Sequence, residues 1–271
     1  MSPLWRDEIG TFLGPRGIVL ARMQRGIRPK CAIENHLGLE PVQGANWEPA
    51  VDAFRQQLED PRWHDANARF VISDSWAHYA LMPWSRELGR DAERLTHARL
   101  ILKKTHGERV DEWTVSVSEA LPGTPSIVSA LPTALIDELK SISAACKLRL
   151  ISLQPHLIVA YNSWRKDLGA ATSWFALVDD GLLSAMHITN GRCDGIRSVR
   201  CSADWSVEMQ RMQSVWRLAR GHSAAGPVYA DVPVRLRQQV EQDNADLVFL
   251  DAERTPQNVG DRVSMLKAGG L

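Results

Sequence analysis

Apolar positions change their spacing several times along the chain, and each change predicts an element. Glu8 to Leu13 and Gly17 to Met23 are apolar runs on either side of Gly14-Pro15-Arg16-Gly17. Two such runs around a Gly/Pro cluster predict a β-hairpin. Lys30 to Leu37 predicts a third strand. Trp47, Val51, Phe54 and Leu58 then recur at helical spacing and share one face. Asn46 is the expected N-cap, and Pro49 is tolerated in a first turn. Arg69-Phe70-Val71-Ile72-Ser73 predicts a short central strand.

From about Asp74 to Leu121 the pattern predicts an insert. Trp76 to Met82 predicts a strand, and Leu95, Ala98 and Leu102 predict a helix from Asp91 to a Gly107 stop. Trp113, Val115 and Val117 alternate with polar residues, as in a sheet with one wet face. Beyond it, Ser126 to Leu131 predicts a strand. Pro132 opens a helix with Leu135, Leu139, Ile142 and Cys146 on one face; Leu148 to Leu153 predicts a strand and Pro155 to Arg165 a helix.

The opening pattern then returns. Strands are predicted at Trp174 to Val178, Leu182 to Thr189 and Cys193 to Cys201, with Asp179-Asp180-Gly181 and Asn190-Gly191 as hairpin turns. A helix follows with Asp204 as N-cap and Trp205, Met209, Met212, Trp216 and Ala219 on one stripe. Val228 to Ala230 predicts a strand, Pro233 to Gln242 a helix, and Asp246 to Leu250 a last strand. A three-strand meander, a helix and a strand thus occur at residues 8–73 and again at 174–230, without evident sequence identity between the copies. Domains are expected at 1–153, with the insert at about 74–121, and at 154–251, followed by a polar, Gly-rich tail at 252–271.

Composition narrows the class. Apolar residues are 44% and charged residues 24% of 271, which excludes a disordered chain, a coiled coil and a collagen. Thirty-two basic residues balance thirty-two acidic ones, so the basic excess of a dedicated nucleic-acid binder is missing. No apolar run approaches the roughly 20 residues that span a bilayer. The first residues lack the apolar core of a secretory signal, so none is expected. Four dispersed cysteines without CxxC read as reduced thiols. Ten Trp against five Phe and three Tyr hint at a binding surface.

A duplicated β-β-β-α-β unit resembles the actin-like ATPase fold. The run of local features is similar to one branch in particular, PilM of type IV pilus assembly and the GspL-type cytoplasmic domain of type II secretion. These features are Ile9-Gly10-Thr11 with Gly17-Ile18-Val19-Leu20; Val71-Ile72-Ser73 with Tyr79-Ala80-Leu81-Met82-Pro83-Trp84; Leu153-Gln154-Pro155 with Asn162; and Trp174-Phe175-Ala176-Leu177-Val178 with Asp204-Trp205. The resemblance covers most of residues 8–250. It implies an α/β, duplicated actin-like (ribonuclease H-like) fold: two lobes, each a mixed sheet flanked by helices, plus a small α+β insert. It also implies a cytoplasmic place at the bacterial inner membrane. The implied partner is the cytoplasmic N-terminal tail of a PilN-like membrane protein, with an assembly ATPase as a further candidate. Neither a nucleic acid nor a membrane span is expected.

Family ATPases grip Mg-ATP with two Gly-rich hairpin turns, each with an Asp, and a late Gly-Gly turn that admits adenine. Bare N–H groups there meet phosphate oxygens while a carboxylate orients hydrated Mg²⁺. The resemblance makes Gly10, Thr11, Asp179 and Gly181 degenerate candidates for cofactor contact. Yet the acidic position holds Glu8 if Gly10 is the family's glycine, or Phe12, which cannot serve a metal, if Gly14 is; and the turn carries Pro15, which has no N–H. Asp179-Asp180-Gly181 matches Asp-x-Gly but equally suits a plain tight hairpin. Val228-Tyr229-Ala230 runs into Asp231-Val232-Pro233 without Gly-Gly. The expectation is a non-catalytic scaffold without a resident cofactor; a PilM-type nucleotide-dependent switch binding ATP and Mg²⁺ is the alternative.

Other chemistry is thin. There is no P-loop, no HExxH and no GxSxG. Cys193, Cys201 and His187 suggest either a metal site or buried structural side chains. Arg22, Arg25, Arg28 and Lys30 suit phosphates or an acidic membrane surface, or simply a solvated hairpin edge. Trp76, Trp84 and Trp113 lie in or beside a short meander, so exposed aromatics there are candidates for partner binding.

Overall fold

The computed structural model describes residues 6–24, 26, 30–40, 46–169, 172–201, 204–220, 226–237, 246–250 and 263. In chain order the elements are β1 (Glu8–Gly14), β2 (Gly17–Gln24), β3 (Lys30–Gly38), α1 (Glu48–Gln57), β4 (Asn67–Ile72), β5 (His78–Met82), α2 (Asp91–His106), β6 (Trp113–Val117), β7 (Ser126–Pro132), α3 (Thr133–Ala145), β8 (Arg149–Pro155), α4 (His156–Trp164), β9 (Thr172–Asp179), β10 (Leu182–Thr189), β11 (Arg192–Arg200), α5 (Trp205–Arg220), β12 (Val228–Asp231), α6 (Val234–Arg237) and β13 (Leu247–Phe249). The tail expected at 252–271 lies outside the described residues, apart from Val263. So do residues 238–245, over which a helix was expected to continue.

Two compact units divide the chain. One comprises residues 1–76, 134–163 and 251–271, the other 77–133 and 164–250. The first holds a sheet in the order β3-β2-β1-β4-β8. Its first three strands are antiparallel, and β4 and β8 join parallel to β1. All seven residues of β1 are buried, as expected of a strand with neighbours on both sides and cover on both faces. Helix α1 buries Val51 and Phe54, and Phe54 meets Phe70 of β4 edge-on at 5.4 Å. The N-cap of α1 is Trp47 rather than the expected Asn46, one residue earlier, whose Oδ1 accepts from the Glu48 N–H at 3.3 Å.

The second unit repeats this plan. Its sheet runs β11-β10-β9-β12-β13, again a three-strand antiparallel meander followed by two parallel strands. Each strand corresponds in order to one of the first sheet, so the duplication is topological. Both expected turns are two-residue hairpins with positive φ throughout: Asp180 at 49° and Gly181 at 76°, Asn190 at 51° and Gly191 at 72°. Those are the type I′ values that match strand twist, which Asx-Gly adopts at little cost. Trp205, Met209 and Met212 of α5 pack on Trp174, Val178, Leu183 and Ala185.

The same unit holds a three-stranded antiparallel sheet, β5-β7-β6. Here the structure departs from the sequence pattern. Ser126 to Leu131 was expected beyond the insert, yet β7 is the central strand of this sheet. Ala98 and Leu102 of α2 cover it, packing with Met82, Trp113, Val115 and Val128. Strand β5 lies against β11.

Candidate functional site

In the first unit, β1 runs on to Gly14 and the hairpin turn falls at Pro15-Arg16. Gly10 and Thr11 therefore lie inside the strand, paired with Ala21 and Leu20, and not at the turn. Thr11 is 1% exposed. Glu8, buried at the start of β1, forms an ion pair with Arg69 of β4. Phe12 is fully buried among Val19, Ala21, Val71 and Val159. At the carboxyl ends of β4 and β8, the sequence pattern missed a buried polar set. The Asp74 carboxylate accepts from the Leu157 N–H at 3.1 Å, at the amino end of α4. His156 beside it meets Phe12 edge-on at 5.1 Å. A carboxylate complements the partial positive charge of a helix start. Nothing local reveals this contact, because the partners are 83 residues apart.

In the second unit, Asp179 is 2% exposed and Gly181 forms its tight turn, where the Gly181 carbonyl accepts from Cys201 N–H at 2.9 Å. Leu183 is fully buried in the core of its own unit. At the end of β12 the Asp231 carboxylate accepts from the Trp164 indole N–H at 3.0 Å. Val232, next in the chain, is fully buried. A Mg-nucleotide needs donor N–H groups and an acidic residue at the first turn and backbone access at the last. At the first turn Pro15 offers no N–H and Glu8 is paired with Arg69; at the end of β12 Asp231 is held by Trp164; the second turn keeps its Asp-x-Gly spacing.

The three tryptophans separate. Trp76 is 2% exposed, belongs to the first unit and keeps its indole N–H without a hydrogen-bond partner among the described residues. Trp113 is 8% exposed and stacks on His78 with ring centroids 3.8 Å apart. The expectation of exposed aromatics is corrected for these two: α2 and β7 cover Trp113, while Trp76 is buried within the first unit. Trp84 is 45% exposed. It borders a hollow of about 150 Å³ with Met82, Pro83, Leu88, Arg94 and Pro122. The Arg94 guanidinium there donates to the Ser118 carbonyl at 3.0 Å and to Ser126 Oγ at 3.2 Å.

Burial pushes His78 down to about 4, and the nearby charges of His106 and Arg109 act in the same direction. Burial also lowers His106, whose ring lies 4.7 Å from that of His78. His187 Nδ1 hydrogen-bonds Asp194, and the ring packs against Trp174 and Trp216 at 4.8 and 5.4 Å. Cys193 is buried and its thiol is pushed up to about 12 by desolvation. These are packing roles, and the described residues hold no group of three or more potential metal ligands. In the basic stretch Arg22 pairs with Asp7 at 2.9 Å, while Arg25 and Arg28 lie outside the described residues. No helix among them is long and apolar enough to cross a membrane.

No family model matches the chain, and no curated protein is significantly similar to it in sequence. Solved structures are similar over nearly its whole length. The PilM–PilN type IV pilus biogenesis complex matches with a TM-score of 0.66 at 11% identity, covering 96% of both chains. A Bacteroides thetaiotaomicron protein of actin-like ATPase fold and unknown function matches at 0.64 with 10% identity, covering 98% of both. The cytoplasmic domain of EpsL, an inner-membrane component of the Vibrio cholerae type II secretion system, matches at 0.56 with 11% identity, covering 97% of this chain and 94% of that one. With these likenesses and its two sheets of one strand order, each a meander continued by parallel strands, this chain has the actin-like ATPase fold.

Proposed function

We propose that the chain is a non-catalytic actin-like scaffold of a type IV pilus or type II secretion-type assembly platform. It acts at the cytoplasmic face of the bacterial inner membrane and holds the cytoplasmic tail of a PilN-like partner; an assembly ATPase is a second candidate partner. The observation that carries this is the hollow beside Trp84. Met82, Trp84, Leu88 and Pro122 give it an apolar side and Ser85 and Ser126 a polar one, its Arg94 cation is already engaged by protein oxygens, and about 150 Å³ suits a single anchor residue of an extended peptide. The likeness to the PilM–PilN complex supports the choice of partner. A photo-crosslinking residue at position 84 should capture the amino-terminal tail of a single-span inner-membrane protein, and Trp84→Ala should weaken that capture. Failure to recover any membrane protein from native membranes would sink the proposal.

The second turn favours one other reading, a PilM-type nucleotide-dependent switch. Asp179 and Gly181 have the Asp-x-Gly spacing on a tight hairpin. Calorimetric titration of Mg-ATP separates the two. Stoichiometric binding abolished by Asp179→Ala supports the switch; absence of heat supports the scaffold.

A further inference from the structure

Helix α5 turns Trp205, Met209 and Met212 inward. The same 3.6-residue period sends Val207, Arg211 and Leu218 to the opposite side, with Val215 and Arg217 flanking them. A surface helix ordinarily carries polar residues there. Here Gln210 and Ser214 share that side with three exposed apolar side chains, Val207 at 49%, Val215 at 54% and Leu218 at 88%. From the sheet below, Arg197 of β11 projects on the side that α5 covers. Gly195 lies under Trp216 of α5, and strand alternation puts residue 197 on that same side. Arg197 and Arg217 are exposed and make no ion pair among the described residues. Arg211 is paired with Glu208 at 2.9 Å and remains 72% exposed.

The charge is local. The chain as a whole is neutral, yet from Arg192 to Leu218 there are five arginines and three carboxylates. Of the carboxylates, Asp194 is engaged by His187 and Glu208 by Arg211. Apolar side chains interleaved with exposed arginines suit one kind of surface: an apolar boundary overlaid by anionic headgroups. Arginine stems extend along the apolar layer while the guanidinium groups stay among phosphates.

We propose that the outer face of α5, with Arg197 beside it, docks on an anionic phospholipid bilayer. A second copy of the chain fits poorly. Pairing this face with itself brings three arginines against three, and a few side chains fall well short of the roughly 800 Å² per partner of a stable interface. A peptide also fits poorly, because Leu218 protrudes and offers no groove. The docking would orient this unit on the membrane independently of any partner tail. It therefore goes beyond the proposed scaffold role, and the two fail separately: vesicle binding is read with no partner present.

The test is co-sedimentation of the full chain with phosphatidylcholine vesicles, with and without phosphatidylglycerol. The expected result is binding to the anionic vesicles only, weakened by salt. Leu218→Ser should lower binding with unchanged circular dichroism and melting. Arg197→Gln combined with Arg217→Gln should lower the partition constant about 30-fold, from two lost headgroup attractions. Inorganic phosphate at matched ionic strength should leave binding unchanged, which separates a bilayer from a phosphate-ion site. Equal binding to neutral vesicles, wild-type binding by both variants, or competition by phosphate overturns the proposal. So does a dimer in sedimentation equilibrium that Leu218→Ser dissolves, since the face would then belong to a second copy.

Discussion

Gly195→Ala should destabilise the second unit through a single contact. A Cβ built on Gly195 would stand 2.3 and 2.4 Å from Cη2 and Cζ2 of Trp216, and 3.1 Å from Cβ of His187. Carbon atoms pack at about 3.5–4.0 Å, so the indole must retreat by more than an ångström. It is not free to do so without loss, because Trp216 also packs edge-on against Trp174 at 5.8 Å and against the His187 ring. Overpacking of this kind costs about 1–3 kcal/mol. At about 2 kcal/mol the melting temperature falls by roughly 4–8 °C. Trp216→Leu removes the two ring atoms that collide. The double variant should therefore be more stable than the sum of the single effects predicts, by about 1 kcal/mol or more. Thermal melts followed by circular dichroism of the four proteins of this cycle measure it. Additive effects, or a Gly195→Ala melt identical to wild type, would refute the claim that Trp216 is why position 195 is glycine.

Gly226→Ala meets backbone instead: its Cβ would stand 2.3 Å from the Thr172 carbonyl oxygen and 2.8 Å from the carbonyl carbon. A strand cannot retreat as a side chain does, so the loss should exceed that of Gly195→Ala, read as a larger fall in melting temperature or in soluble yield. Trp164→Phe removes the indole donor from buried Asp231; a hydrogen bond to a charged group contributes about 1.5–3 kcal/mol, measurable by urea denaturation. His78 gives a pH dependence. Its folded value of about 4 lies below the ordinary 6.5, so between these values the unfolded chain binds the extra proton. Stability from this group is present above about pH 6.5 and is lost as pH falls toward 4. His78→Phe keeps a ring against Trp113 without a titrating group, so its melting temperature should fall less than that of wild type between pH 6.5 and 5. Parallel pH profiles for the two proteins would refute that assignment.

The candidate site was legible only where its chemistry is local. Asp179-Asp180-Gly181 was recognisable as a tight turn, because positive φ at consecutive residues selects Asx and Gly. The acidic residue Glu8 was visible in the chain, but its partner Arg69 lies 61 residues away on the neighbouring strand. Asp231 was visible too, whereas the indole that holds it is 67 residues distant. Trp84 was one of three aromatics that looked equivalent, and only the packing of α2 and β7 separated the exposed one from the buried Trp113.

Element type, hairpin turns and the internal duplication were already determined by the sequence. Helical and strand periods, glycine-bearing turns and caps act over a few residues, so a linear reading captures them. Strand partners, and with them burial, were decided by the tertiary structure. An alternating strand such as β7 presents the same pattern to any neighbour, and its place between β5 and β6 follows from which edges the rest of the chain leaves open. The outer face of α5 is the complementary case. Its valines, leucine and arginines were in plain view in the sequence, but only the packed helix shows which of them the core leaves in solvent.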